Sequence, residues 1–274
     1  MRRPARAALT GGERRARRIA LLARSRTIAQ RTQVFPHPSP RPARLRVAVG
    51  HDILRRMTLA TTRARLAWLT LWAAAFGLCE GAVVVYLRRL CYPDQPDDGP
   101  LFPLRVVEPL ILRTEQWREA GTLLVLLGVA LLAERRPLRR FAVFAFSFGM
   151  WDLVYYATLH VALGWPASLM DWDVLFLIPA PWSSPVLAPV LVSLALVGSS
   201  SLLLHRLDVV AGQGFRARDW LVQIVAGALI VGSMLWNAEV VNRQERPVDF
   251  PWWLFLLGLG GGIGFFLRAL KQAR

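Results

Sequence analysis

The 274-residue chain is 54% hydrophobic and 19% charged, with 11 tryptophans and a formal net charge of +16. Soluble domains carry roughly 25% charged residues, so composition disfavours a soluble globular fold and points to a membrane class. Two cysteines supply neither a disulfide framework nor a zinc spacing.

The charge is concentrated at one end. Residues 1–66 hold seventeen arginines against Glu13 and Asp52, and the remainder is nearly neutral. The segment has no apolar periodicity and contains Pro36, Pro38, Pro40 and Pro42, so residues 1–65 are read as a basic, disordered cytoplasmic tail. An alternative makes residues 1–56 an untranslated upstream extension, with a true start at Met57. Aromatic interleaving is limited to Phe35, and no nucleic-acid partner is expected.

Beyond the tail, six apolar runs are long enough, or nearly so, to cross a bilayer core that needs roughly 20 residues. They are 66–87, 114–133, 141–163, 185–204, 220–241 and 251–267. The expected fold is all-α, a polytopic membrane bundle of about six transmembrane helices over residues 66–270. Between the third and fourth runs, 168–182 is apolar but too short to cross, and is expected to be interfacial or re-entrant. Ser168-Leu169-Met170-Asp171 has capping-box spacing for a short helix that Pro179 and Pro181 would stop. Ser183 or Ser184 before Pro185 would cap the fourth span. Glu115 and Glu119 would favour the positive end of the second span's dipole. Tryptophans near the predicted ends, such as Trp68, Trp165, Trp182 and Trp253, would mark the membrane interfaces.

Orientation follows from counting Lys and Arg on each side. With the N-terminus inside, twenty-seven fall in cytoplasmic segments and seven outside, or twelve and seven without residues 1–56. Both termini are therefore expected in the cytoplasm.

Ionisable groups within spans cost about 2.5–3.5 kcal/mol each at mid-helix, so each is a functional candidate. Glu80, Arg118, Glu119, Asp152, Tyr156, His160 and Glu239 are the candidate pocket residues, and all but Asp152 are expected in the outer half of the membrane. Asp152, Tyr156 and His160, spaced i, i+4, i+8, would share one helix face. The competing readings are an internal ion-pair network, such as Glu80 or Asp152 with Arg118, and a ligand pocket open to the outside. A divalent-metal site from Glu80, Glu119, His160 and Glu239 is a weaker reading, because no short-range metal motif is present. The sequence leaves any cofactor unknown. Neither a Gly-x-Ser-x-Gly elbow nor a His-Glu-x-x-His motif occurs, which disfavours an enzyme without identifying another role. In the sixth span, Gly258/Gly262 and Gly260/Gly264 form overlapping small-xxx-small pairs, suited to packing within the bundle or to a homo-oligomer.

Three stretches carry a resemblance: Glu80–Arg88, Phe148–Tyr156 and Gly164–Trp182. Over roughly residues 76–192 the chain resembles a family of uncharacterised bacterial multi-pass membrane proteins. The resemblance implies a bacterial inner-membrane setting and transfers no catalytic residues; residues 1–56 fall outside it. The leading functional expectation is small-ligand binding or transport through an outward-facing polar pocket. The alternatives are a membrane enzyme acting on a lipid-like substrate, with Asp171–Trp182 as lid, and a structural or assembly subunit whose buried charges only pair.

Overall fold

The computed structural model describes residues 43–96, 101–102, 108–209 and 215–272, with side chains described from Thr61 to Leu207 and from Phe215 onward. The chain divides into units of residues 1–52 and 53–274, and the helical bundle belongs to the second.

The first helix, α1, spans Ala43–Cys91. It begins directly after the last of the four prolines, where the chain turns to Ala, Leu, Val and Arg, good or tolerable helix formers. The expectation of disorder is therefore corrected for residues 43–65, which are helical; for residues 1–42 it lies outside the described residues. Arg88 and Arg89 occupy the last turn, where cations offset the negative end of the helix dipole.

Helix α2 spans Pro109–Ala133 and α3 spans Pro137–Leu163, each with proline at its start, where the missing N–H is no loss. The α2–α3 turn is held by Glu134. Its carboxylate pairs with Arg65 of α1 and with Arg139 of α3 at 3.0 Å, while its carbonyl accepts from Arg140 Nε at 2.7 Å. Helix α3 ends at Gly164, whose φ of 72° is the left-handed cap that glycine adopts without a Cβ penalty.

The expected short helix within 168–182 is not formed. The Asp171 carboxylate instead accepts from the backbone of Ala167 and Ser168, and Ser168 Oγ accepts from Met170, so the capping-box residues close a turn. A two-stranded antiparallel hairpin follows, β1 (Trp172–Phe176) and β2 (Trp182–Pro185). Aromatic and β-branched residues favour the strand, and Pro179 and Pro181 fall in the connecting loop, where no ladder hydrogen bond is needed. Ser183 and Ser184 belong to β2 rather than capping the fourth span.

Helix α4 spans Leu187–Val209 and α5 Ala217–Leu235; α6 is a single short turn at Ala238–Asn242, and α7 spans Trp252–Gln272. The six long helices are each long and apolar enough to cross a membrane, so the chain is read as a multi-pass integral membrane protein. Helix α3 packs along α4, and α5 along α7. Close approach is set by glycine. A Cβ on Gly77 would lie 2.5 Å from the Trp151 carbonyl oxygen of α3, and one on Gly258 would lie 2.8 Å from that of Ala226 on α5. Gly262 also faces Ala226, whereas Gly260 and Gly264 face open space. The first glycine pair thus packs within the bundle, and the second contributes nothing to that packing.

Candidate functional site

A cavity of about 740 Å³ is walled by residues of all six long helices and of the hairpin. Its Glu134 end is lined by aromatic contacts, Phe141 of α3 edge-on to Trp220 of α5 (5.3 Å) and Phe215 against Phe266 of α7 (6.0 Å). At the other end sits the hairpin. Lining residues run along α3 from Phe141 to Tyr156, about 22 Å at 1.5 Å per residue. Most of that length is apolar, and the ionisable groups gather beneath the hairpin.

Glu80 of α1 is buried and meets α2, pairing with Arg118 Nη1 and accepting from the Thr122 hydroxyl. Arg118 also holds Glu115, 2.8 Å away and one helical turn earlier. One guanidinium thus serves two carboxylates, the ion-pair network expected from the sequence. Glu119 plays a different part. Both its oxygens accept from the backbone N–H of Leu177, at 3.0 and 2.8 Å, fastening the hairpin to α2. Neither Glu115 nor Glu119 lies in the first turn, because α2 starts at Pro109; the expected dipole role is corrected to pairing of Glu115 with Arg118 and of Glu119 with the Leu177 backbone.

On α3, Asp152 accepts from Ser193 of α4 at 2.7 Å and has no cationic partner among the described residues. Tyr156 donates to Asp173 of β1 at 2.9 Å. Asp173 is buried, and that burial pushes its carboxyl up to about 6 against the opposing effects of the Tyr156 hydrogen bond and the Arg88 charge. The Arg88 guanidinium lies over the Trp165 ring, 4.0 Å from its centroid.

Glu80, Arg118, Glu119, Asp152 and Tyr156 all line the cavity. His160 and Glu239 do not join them. His160 is exposed, with Nδ1 3.0 Å from the Pro166 carbonyl. At 3.6 residues per turn, i+8 is rotated about 80° from i, so the expected shared face extends from Asp152 to Tyr156 only. Glu239 stands exposed on α6, 4.0 Å from Arg243, because α5 ends at Leu235 and the chain turns before α6. The candidate metal quartet is therefore not assembled, and among the described residues no three His, Cys, Asp or Glu side chains are grouped to hold an ion.

Several lining residues do not stand out in the sequence. Asp173 is hidden in the apolar segment expected to be interfacial, and Ser193 lies within the apolar first half of α4, ahead of Ser199–Ser201. An aromatic wall joins Tyr155, Trp151, Phe148, Phe176 and Trp182 through successive ring contacts of 5.5–6.4 Å. Trp165 and Trp182 line the cavity, whereas Trp68 and Trp253 are exposed. The buried indole nitrogens of Trp151, Trp165 and Trp182 have no hydrogen-bond partner among the described residues.

No family model, curated protein or solved structure matches the chain.

Proposed function

We propose that the protein binds or transports a small ligand through this cavity. The observation that carries the reading is the cavity itself. Its volume is within the range of about 300–1,000 Å³ usual for ligand sites, mostly apolar with a few convergent polar groups. Asp152 supports it further, since an ionisable group inside a membrane helix is costly and marks a functional position by default.

The setting we propose is a bacterial inner membrane, with both termini cytoplasmic and the hairpin end facing outward. The excess of arginine and lysine on the side of the α2–α3 turn supports that orientation. Thiol labelling of single-cysteine variants in intact cells tests it, with a cysteine at Asp94 reacting and one at Arg135 protected.

A purely structural role for the polar groups is the second reading, favoured by the direct Glu80–Arg118 pair. It accounts for that pair, for Glu119 and for the Asp152–Ser193 hydrogen bond, but not for the cavity. The two readings are separated by filling the cavity. Gly227 lines it, and a Cβ there would meet nothing within 4 Å, so Gly227→Phe projects into empty space. Mass spectrometry of small molecules co-purifying with wild type and with this variant should show a species lost on filling. Identical content in both would overturn the ligand reading.

A further inference from the structure

The chemistry of the hairpin end selects among ligands. Five carboxylates line it, Glu80, Glu115, Glu119, Asp152 and Asp173, against two guanidiniums, Arg88 and Arg118. Both guanidiniums are engaged: Arg118 is shared by Glu80 and Glu115, and Arg88 lies against Trp165. An anionic ligand would meet this excess of carboxylates with no uncommitted cation among the lining residues. A cation would supply Asp152 with the counter-charge that no described side chain provides, which a neutral ligand cannot do.

The aromatic wall is an independent observation pointing the same way. Tyr155, Trp151, Phe148, Phe176 and Trp182 form a contiguous run of rings that borders the same space as Asp152. Ring faces attract cations by about 0.5–2 kcal/mol each, more when water is excluded, and tryptophan is the strongest of them. Carboxylates alone would also suit a hydrated metal ion, but no side-chain set is grouped to ligate one among the described residues. Rings beside a single unpaired carboxylate suit a cation whose charge is spread over carbon substituents. The apolar length below, toward Phe141 and Phe266, offers those substituents a place out of water.

Resting on the reading of the cavity as a ligand site, we infer that its ligand is a hydrophobic organic cation, a substituted ammonium or similar onium group. Its charge sits between Asp152 and the rings of Trp151, Tyr155, Phe176 and Trp182, and its apolar substituents extend along α3, α5 and α7.

Tetraphenylphosphonium and tetraphenylborate, nearly equal in size and opposite in charge, provide the test, by equilibrium dialysis against the purified full chain in detergent with empty-micelle controls. The wild-type protein should bind the phosphonium at least about tenfold more tightly than the borate. Asp152→Asn should weaken phosphonium binding about tenfold, and Phe176→Leu should weaken it several-fold. If Asp152→Asn fails to fold, the preference of wild type for the phosphonium and the Phe176→Leu effect still decide. Gly227→Phe should abolish binding of the phosphonium. Equal binding of both probes, lost in Gly227→Phe, would overturn the cation inference while leaving the cavity as a ligand site. Preference for the borate, or binding of neither probe, would also overturn the inference. Loss of the co-purifying species on cavity filling decides separately whether the ligand reading stands.

Discussion

The Glu119 carboxylate and the Leu177 backbone N–H meet at 2.8 and 3.0 Å, one donor shared between both oxygens of a buried acid. This contact spans 58 residues of sequence and couples the end of the hairpin to α2. The hairpin lines the polar end of the cavity, so this attachment fixes one wall of that end. In Glu119→Ala the Leu177 N–H loses its acceptor, at a cost of about 1–3 kcal/mol for a buried unsatisfied donor. Hydrogen exchange across residues 172–185 should accelerate by about tenfold or more, with α3 and α4 little changed. Uniform acceleration throughout the bundle would show that Glu119 supports the whole fold instead.

Arg118 holds two carboxylates, and its removal should be more damaging than removal of either partner. Arg118→Ala leaves Glu80 and Glu115 without a counter-charge, and breaking a buried pair in this way costs about 3–5 kcal/mol. Glu80→Gln keeps a hydrogen-bonding group beside Thr122 and should cost less. Thermal melting of both variants in detergent should rank Arg118→Ala well below Glu80→Gln.

Asp173 predicts a pH dependence whose sign is fixed. Its carboxyl is raised from 3.8 to about 6 by burial, so the folded protein binds this proton more tightly than the unfolded chain. The associated stability is fully present below about pH 4 and is lost as pH rises through about 6, amounting to about 3 kcal/mol at most. Melting temperatures across this window should fall for wild type and flatten for Asp173→Asn. An unchanged slope in the variant would assign the effect to another group.

The glycines of α7 separate by face. Gly258→Ala places a methyl 2.8 Å from the Ala226 carbonyl oxygen, and such overpacking costs about 1–3 kcal/mol. Gly260→Ala meets nothing within 4 Å and should leave the melting temperature of the monomer unchanged. Analytical ultracentrifugation of Gly260→Ala and Gly264→Ile adds a second readout. Any homo-oligomer through α7 would use that open face, and its loss in these variants would locate it there.

Residue order alone was enough to establish a membrane bundle and where its six long helices run, to within a few residues at most ends. Crossing lipid requires long uninterrupted apolar segments whose backbone is satisfied internally, and that requirement is written locally along the chain. The helix starts at Pro109 and Pro137 lie just outside the apolar runs, so hydropathy placed those ends late. The hairpin in place of a short helix emerged only from the three-dimensional arrangement, since the capping residues Ser168 and Asp171 are equally suited to a turn. The same is true of which candidates share a site. Glu80, Arg118, Glu119, Asp152 and Tyr156 converge on one cavity, while His160 and Glu239 are turned away by helix rotation and by the turn after Leu235. Depth along a helix can be read from position in the chain. Which side of the helix meets which neighbour depends on packing between segments far apart in sequence, set here at contacts such as Gly77 on Trp151 and Glu119 on Leu177.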